Sequence, residues 1–408
     1  MISLTKPELV TSLHWTPQEL QFFEAYKEAR KDDVFDLYKN KEVQVTQKMI
    51  HQLFARQHVK SKLPFLYNHP EIVYPVTLSL EQSSSQETAA YKASLFHGDS
   101  FIDLSGGLGI DSYFLSENFR SGIIVERNPE LAAIVAHNYA LLNRHNVQFA
   151  CGEDASDFLS DYEGKADLIY IDPARRDGHG GKIVKLGDCE PNVLELRDKM
   201  FAISTTVLIK TSPLLDIQLA VNELKYVKKV YVIAVENECK ELLFHLEDKY
   251  EGEFAIQTVN LEKGEATVFS FVTKEERESS SSSGEIRKYL YEPNAAIMKS
   301  GGFKSIGLRL GLTKIQMHTH LYTSDELITD FPGRSFEILM ISKVDKQEVQ
   351  RIIQGHKANV SIRNFPGSAQ ELKKNLGLSD GGDFYIFGTT DMNDKKVLLI
   401  TKKVFHSV

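Results

Sequence analysis

From about residue 98 to residue 273 the chain alternates short apolar runs with longer stretches whose apolar residues recur every three or four positions. The runs at 100–104, 122–125, 147–150, 168–171, 206–209, 230–235 and 266–271 have the length of strands, and the stretches between them have the period of helices. A helix is expected from Ile110, and a longer one opens at Asn128-Pro129, where an N-cap side chain precedes a proline suited to the first helical turn, and runs to about Asn143. Strands separated by helices pair in parallel, because a crossover of this length returns the chain to the same edge. The pattern therefore predicts an α/β fold, a seven-stranded doubly wound sheet with helices on both faces.

The flanks read differently. Residues 1–80 are patterned as helices: Thr16-Pro17-Gln18-Glu19-Leu20 has the form of a capped helix start, and a second helix is expected over 43–55. The proline-punctuated stretch 62–75 reads as a connection, and 81–92 as a capped helix leading into the first strand. Residues 274–284, KEERESSSSSG, have nothing apolar to bury and are expected to be a flexible linker. Beyond it lie short strand patterns punctuated by Gly301-Gly302, Pro332-Gly333, Pro366-Gly367 and Gly381-Gly382, with a helix over 369–376. This predicts an N-terminal helical region (1–80), an α/β domain (81–273), a linker (274–284) and a small α+β C-terminal region, divided at 333/334.

Composition changes this picture little, charge rather more. Of 408 residues, 42% are hydrophobic and 25% charged, which suits globular domains with ordinary cores. No apolar run approaches the roughly 20 residues that span a bilayer, and the first residues do not form a secretory leader, so a cytoplasmic protein without membrane contact is expected. Cys151, Cys189 and Cys239 stand far apart, which argues against a disulfide framework and a thiolate metal site. His318 and His320 share a strand face but have no third ligand at a familiar spacing, so no metal is expected. The net charge of −8 conceals an asymmetry: residues 285–408 carry 18 Lys and Arg against 13 Asp and Glu, a balance of +5 on an otherwise acidic chain. An anionic partner is compatible with that end.

Candidate chemistry gathers at the carboxyl ends of the predicted strands. Asp103-Leu104-Ser105-Gly106-Gly107-Leu108-Gly109 joins the first strand to a helix, and glycines there permit a sharp turn and close approach of a ligand. A pyrophosphate-binding loop would carry a third glycine where Ser112 stands, and Asp103 would repel a pyrophosphate. Asp103 suits instead a ligand with a cationic amino-acid moiety. Glu126 closes the second strand where a carboxylate can accept both ribose hydroxyls, with Arg127 beside it. Asp154 and Ala155 follow the third strand, where the acid can meet an adenine amino group, cap a helix, or do both. After the fourth strand comes Asp172-Pro173-Ala174-Arg175; the proline stiffens a loop from which Asp172 can orient a substrate amino group.

Taken together, these four sites resemble class I S-adenosylmethionine-dependent methyltransferases over residues 81–273. The resemblance implies a Rossmann-like sheet and S-adenosyl-L-methionine as cofactor. It assigns Asp103, Ser105, Gly107 and Gly109 to the methionine part, Glu126 to the ribose and Asp154 with Ala155 to the adenine, which Arg127 or the loop after it would line. Asp172, Pro173 and Arg175 would face the acceptor, with a base nitrogen expected. The acceptor loop departs from the family pattern, because Ala174-Arg175 stands where a second proline and an aromatic residue are usual; arginine can stack on a base or bind phosphate. The C-terminal pieces 361–366, 369–378 and 380–385 resemble a THUMP-like domain, with a ferredoxin-like portion before it (285–333), which implies an RNA partner such as rRNA or tRNA. Two other readings stand beside this one: an RNA-binding protein with an inactive methyltransferase fold, and an NAD-dependent oxidoreductase.

Overall fold

The computed structural model describes residues 13–40, 45–75, 77–175 and 185–404. Its chain divides into two compact units, Met1–Lys228 with Leu242–Glu251, and Lys229–Glu241 with Gly252–Val408.

Parallel strands β1 (Gly98–Asp103), β2 (Phe119–Glu126), β3 (Val147–Cys151) and β4 (Leu168–Ile171) form the heart of the first unit. After β4 a two-residue pair, β5 (Ala174–Arg175) and β6 (Cys189–Glu190), closes a small antiparallel loop. Next come β7 (Thr206–Thr211), β8 (Val227–Val235) and β9 (Glu238–Glu247). The order within this unit is β3-β2-β1-β4-β7-β9. All its neighbours are parallel except β9, whose residues Leu242–Glu247 run antiparallel to β7. β1 is central, with Asp103 opposite Ile124 of β2 and Tyr170 of β4. Every residue of β4 is buried, as its unbroken Leu-Ile-Tyr-Ile run demands of a strand covered on both faces.

The expected helices Ile110–Leu115 and Pro129–Leu141 are present, the second capped by Asn128, whose side chain accepts from the N–H groups of Glu130 and Leu131. In the N-terminal region, Thr16 and Glu19 form a reciprocal capping box on Pro17–Ala25. The helix expected over 43–55 spans Gln47–Val59, and residues 43–44 lie outside the described ones. An unexpected helix, Lys31–Asn40, has its pattern masked by alternating charges, yet Val34 is fully buried with Trp15, Phe22, Phe23 and Leu53. The Asn138 amide exchanges two hydrogen bonds with the backbone of Val73, at 3.0 and 2.8 Å, which fastens this region to the helix Pro129–Leu141.

In the second unit, β10 (Ala255–Glu262) pairs in parallel with Lys229–Val235 of β8 and antiparallel with β11 (Glu265–Val272). The seven strand segments read from the sequence are all strands here; the short β5–β6 pair is additional, and so are β9 and β10. Both escaped the apolar-run criterion because polar residues interrupt them, Glu241 and His245 in one and Gln257, Thr258 and Asn260 in the other.

A second sheet follows: β12 (Tyr289–Pro293), β13 (Thr313–Lys314), β14 (Tyr322–Ser324), β15 (Gly333–Ser342), β16 (Asn359–Arg363), β17 (Phe384–Thr390) and β18 (Lys396–Lys403). Its order is β13-β14-β12-β15-β18-β17-β16, antiparallel save for the β16–β17 pair. Separate apolar clusters lie beneath it, one around Tyr291, Ile306 and Tyr322 and another around Val349, Leu372 and Ile386.

The expected flexible linker at 274–284 is not what the structure shows at its start: Thr273–Glu278 is a helix. Its charges have partners. Glu276 accepts from the backbone N–H groups of Lys304 and Ser305 and from the Ser305 hydroxyl, Arg277 pairs with Glu253, and Arg309 with Glu275. The composition suggested solvation, but these residues cap and brace the helix Phe303–Arg309.

Candidate active site

The loop after β1 is tied to the ends of three strands by two residues. Ser105 donates its N–H (2.8 Å) and hydroxyl (2.9 Å) to Asp103 Oδ1, and the same hydroxyl accepts from the N–H of Asp172 at 2.7 Å. Gly107 donates its N–H to Glu126 Oε2 at 2.7 Å, while Glu126 Oε1 accepts from the N–H of Asn128 at 2.8 Å. Glycine is required on steric grounds at Gly106, where a Cβ would stand 2.7 Å from Ile124 Cγ2, and at Gly109, which has φ +66° and would press on Val135 at 2.8 Å. The carboxyl ends of β1, β2 and β4 are thus locked around one loop at the edge of a parallel sheet, where such folds bind ligands.

Asp103 is buried and its oxygens face its own loop, with Ser112 donating to Oδ2 at 2.5 Å. Burial pushes its carboxyl up to about 6; the hydrogen bonds from Ser112 and Ser105 pull the other way, and nearby Asp111 adds to the rise. Ser112, at the position that excludes a three-glycine loop, is one of the groups that hold Asp103 in place. Glu126 is half-buried, and each carboxylate oxygen, already taking one backbone N–H, retains a lone pair for a hydroxyl donor. Asp154 caps the helix Ala155–Asp161, accepting from the Ser156 N–H at 2.8 Å; Ala155 is buried beneath it. Arg127 reaches across to Glu190 at 2.6 Å, which ties the end of β2 to the β5–β6 pair. Pro173 is buried, and the side chain of Arg175 lies outside the described residues, as does the segment 176–184.

The sequence reading missed a buried charged network behind Asp172. Lys210, near the end of β7, is 2.5 Å from Asp172 Oδ2. It lies 3.7 Å from Asp111 Oδ2, and Lys92 lies 3.0 Å from Asp111 Oδ1. Tyr170 and Ser84 donate to Asp111 Oδ2 at 2.7 and 2.8 Å, and both lysines donate to the Ser84 hydroxyl. The side chains of Lys92, Lys210 and Asp111 are 1%, 9% and 10% exposed, against 35% for Asp172. Burial alone would raise the Asp111 carboxyl, but Lys92 and Lys210 outweigh it and hold it well below the usual carboxylate range. A signal existed in the sequence: Lys210 follows Val-Leu-Ile in an otherwise apolar strand, where a lone ammonium must find a carboxylate.

The chain is similar to known proteins over most of its length. The profile of a ferredoxin-like domain matches residues 289–332, and that of a THUMP domain-like module matches 333–403. Among proteins of curated function none matches. The crystal structure of a candidate methyltransferase from Porphyromonas gingivalis W83 is 31% identical, covers 95% of this chain and 98% of its own, and superposes with a TM-score of 0.85. Over smaller parts, a candidate RNA methyltransferase from Pyrococcus horikoshii is 14% identical (42% of this chain, 90% of its own, TM-score 0.32). A candidate methyltransferase of Streptococcus mutans in complex with SAH is 15% identical (40% and 96%, TM-score 0.30).

The fold is that of a Rossmann-like methyltransferase. More particularly, the chain belongs to the family of the Porphyromonas protein, class I methyltransferases that carry a THUMP-like domain at the C-terminus.

Proposed function

We propose that this protein transfers the methyl group of S-adenosyl-L-methionine to RNA. The observation that carries the reading is the cross-tied loop: Ser105 and Gly107 join Asp103, Glu126 and Asp172 at the ends of three adjacent strands. A cofactor with an amino-acid moiety at one end and a ribose in the middle fits that set. The ribose meets the outward lone pairs of Glu126, its ammonium lies toward the Asp103 loop, and Asp154 with Ala155 borders the adenine. When bound, the cofactor supplies an electrophilic methyl group. The chain's own residues do the rest: Asp172 and Pro173 orient the acceptor, and the β5–β6 pair, with Arg127 on Glu190, frames the loop that carries them. Methyl transfer is a displacement, so positioning contributes most of the rate.

RNA as the partner rests on the THUMP domain-like match at 333–403 and on the positive balance of residues 285–408. Among the described residues no helix is long and apolar enough to cross a membrane. A nicotinamide dinucleotide suits the loop poorly, because a pyrophosphate would meet the Asp103 carboxylate.

The test is methyl transfer from labelled cofactor to total RNA of cells lacking the gene. The purified protein should bind the cofactor in a calorimeter and label RNA. Asp172→Ala should abolish labelling and leave cofactor affinity within about threefold, whereas Glu126→Ala should weaken affinity by about tenfold or more, the loss of a charged hydrogen-bond acceptor. Cofactor binding with no product from any RNA would leave the binding-protein reading in its place.

A further inference from the structure

We propose that the acceptor atom is an oxygen, a ribose hydroxyl of the RNA, rather than the base nitrogen that the Asp-Pro loop suggests; the proposal rests on the methyltransferase reading above. It starts from the ion pair on Asp172. A carboxylate that serves an amino acceptor must take hydrogen bonds from the nitrogen and stabilise the positive charge that the nitrogen gains as the methyl arrives. Asp172 has one oxygen committed to Lys210 at 2.5 Å. Among the described residues, the ion pairs behind it join Lys92 and Lys210 to Asp111 and Asp172, with both lysines and Asp111 almost out of solvent. The acceptor therefore faces a carboxylate with an ammonium just behind it. Such a charge opposes a developing cation and favours an oxygen whose proton is leaving.

For a hydroxyl the step balances with groups present. The oxygen lone pair attacks the methyl carbon, the carbon–sulfur bond breaks with its electron pair going to sulfur, and the hydroxyl proton passes to Asp172. Asp172 Oδ1 has no hydrogen-bond partner among the described residues, and at 35% exposure the side chain can release the proton to solvent. The products are a methyl ether, a neutral thioether and a protonated carboxyl. Lys210 acts here through Asp172 and by its charge, as a positioning residue, with Asp111 and Ser84 holding its ammonium.

The experiment uses the full-length protein, labelled S-adenosyl-L-methionine and RNA from cells lacking the gene, followed by nucleoside mass spectrometry and alkaline hydrolysis. Label is expected in alkali-resistant dinucleotides, since a methylated 2′-oxygen cannot attack its phosphate. Lys210→Gln should lower kcat by about 100-fold, the scale of removing one electrostatic stabiliser, with cofactor affinity changed less than about threefold. Lys210→Arg should restore at least about a tenth of the rate, and the kcat–pH profile of Lys210→Gln should move relative to wild type, which a merely structural lysine would not cause. Label on a base nitrogen with unmodified ribose overturns the proposal while the RNA methyltransferase reading stands. Full kcat in Lys210→Gln overturns it likewise, and no label in any RNA removes both. If Lys210→Gln fails to fold, the identity of the wild-type product still decides.

Discussion

At the scale of single residues the site is governed by what burial does to charge. Asp103 binds a proton more tightly folded than unfolded, because its carboxylate is desolvated to a degree that three hydrogen bonds only partly offset. Its contribution to stability is therefore complete below its ordinary value of 3.8 and is lost as pH rises through about 6. Between about pH 4 and pH 7 the wild type should lose roughly 3 kcal/mol relative to Asp103→Asn, measured by urea denaturation across that range. Parallel stability curves for the two proteins would contradict this. Asp111 has the opposite character, since two lysines depend on it. Asp111→Asn leaves Lys92 and Lys210 in a dry site with one carboxylate between them and should destabilise by about 3–5 kcal/mol, visible as a lowered denaturation midpoint. Asp103 was named from the sequence because it ends a strand before a glycine loop. Asp111, Lys92 and Lys210 were not, because ion pairing between a helix start, another helix and a strand end has no local pattern.

At the scale of elements, turns and caps were the most legible features. The capping of Pro17–Ala25 by Thr16 and of Pro129–Leu141 by Asn128 depends on residues adjacent in the chain, so the sequence displays it. Gly109 belongs to the same class: with φ +66° and Val135 packed against it, Gly109→Ala should cost about 1–3 kcal/mol and slow the β1 loop's assembly around the cofactor, checked by denaturation and by calorimetry of cofactor binding. The helix Thr273–Glu278 is the counter-example. Its glutamates have partners about 30 residues away, so composition alone assigned them to solvent. Glu276→Ala should remove the cap on Phe303–Arg309 and cost about 1 kcal/mol in chemical denaturation, whereas Glu278→Ala, on the same helix, should change little.

For the whole molecule, charge is unevenly distributed, and the proposed RNA partner gives that distribution a test. If RNA binds through residues 285–408, with its balance of +5, affinity should fall steeply with salt, by about tenfold or more between roughly 50 and 200 mM, in filter-binding titrations. A flat salt response would argue against phosphate contacts. Within that region some positive charge is already spent: Arg363 and Arg334 both pair with Glu292, which is buried. Formal charge thus overstates what is available to phosphate.

The sequence by itself determined the alternation of strand and helix, the glycine loop, and the carboxylates at the ends of the first, second and fourth strands. These follow from periodicity and from residues next to one another along the chain. Only the tertiary structure decided that Ser105 and Gly107 bind three strand ends into one loop and that Asp172 is half of an ion pair with Lys210. It also decided that a serine-rich segment begins as a bracing helix. Hydrogen bonds and ion pairs reach only a few ångströms, and the partners here are brought that close by a parallel sheet whose neighbouring strands are far apart in sequence.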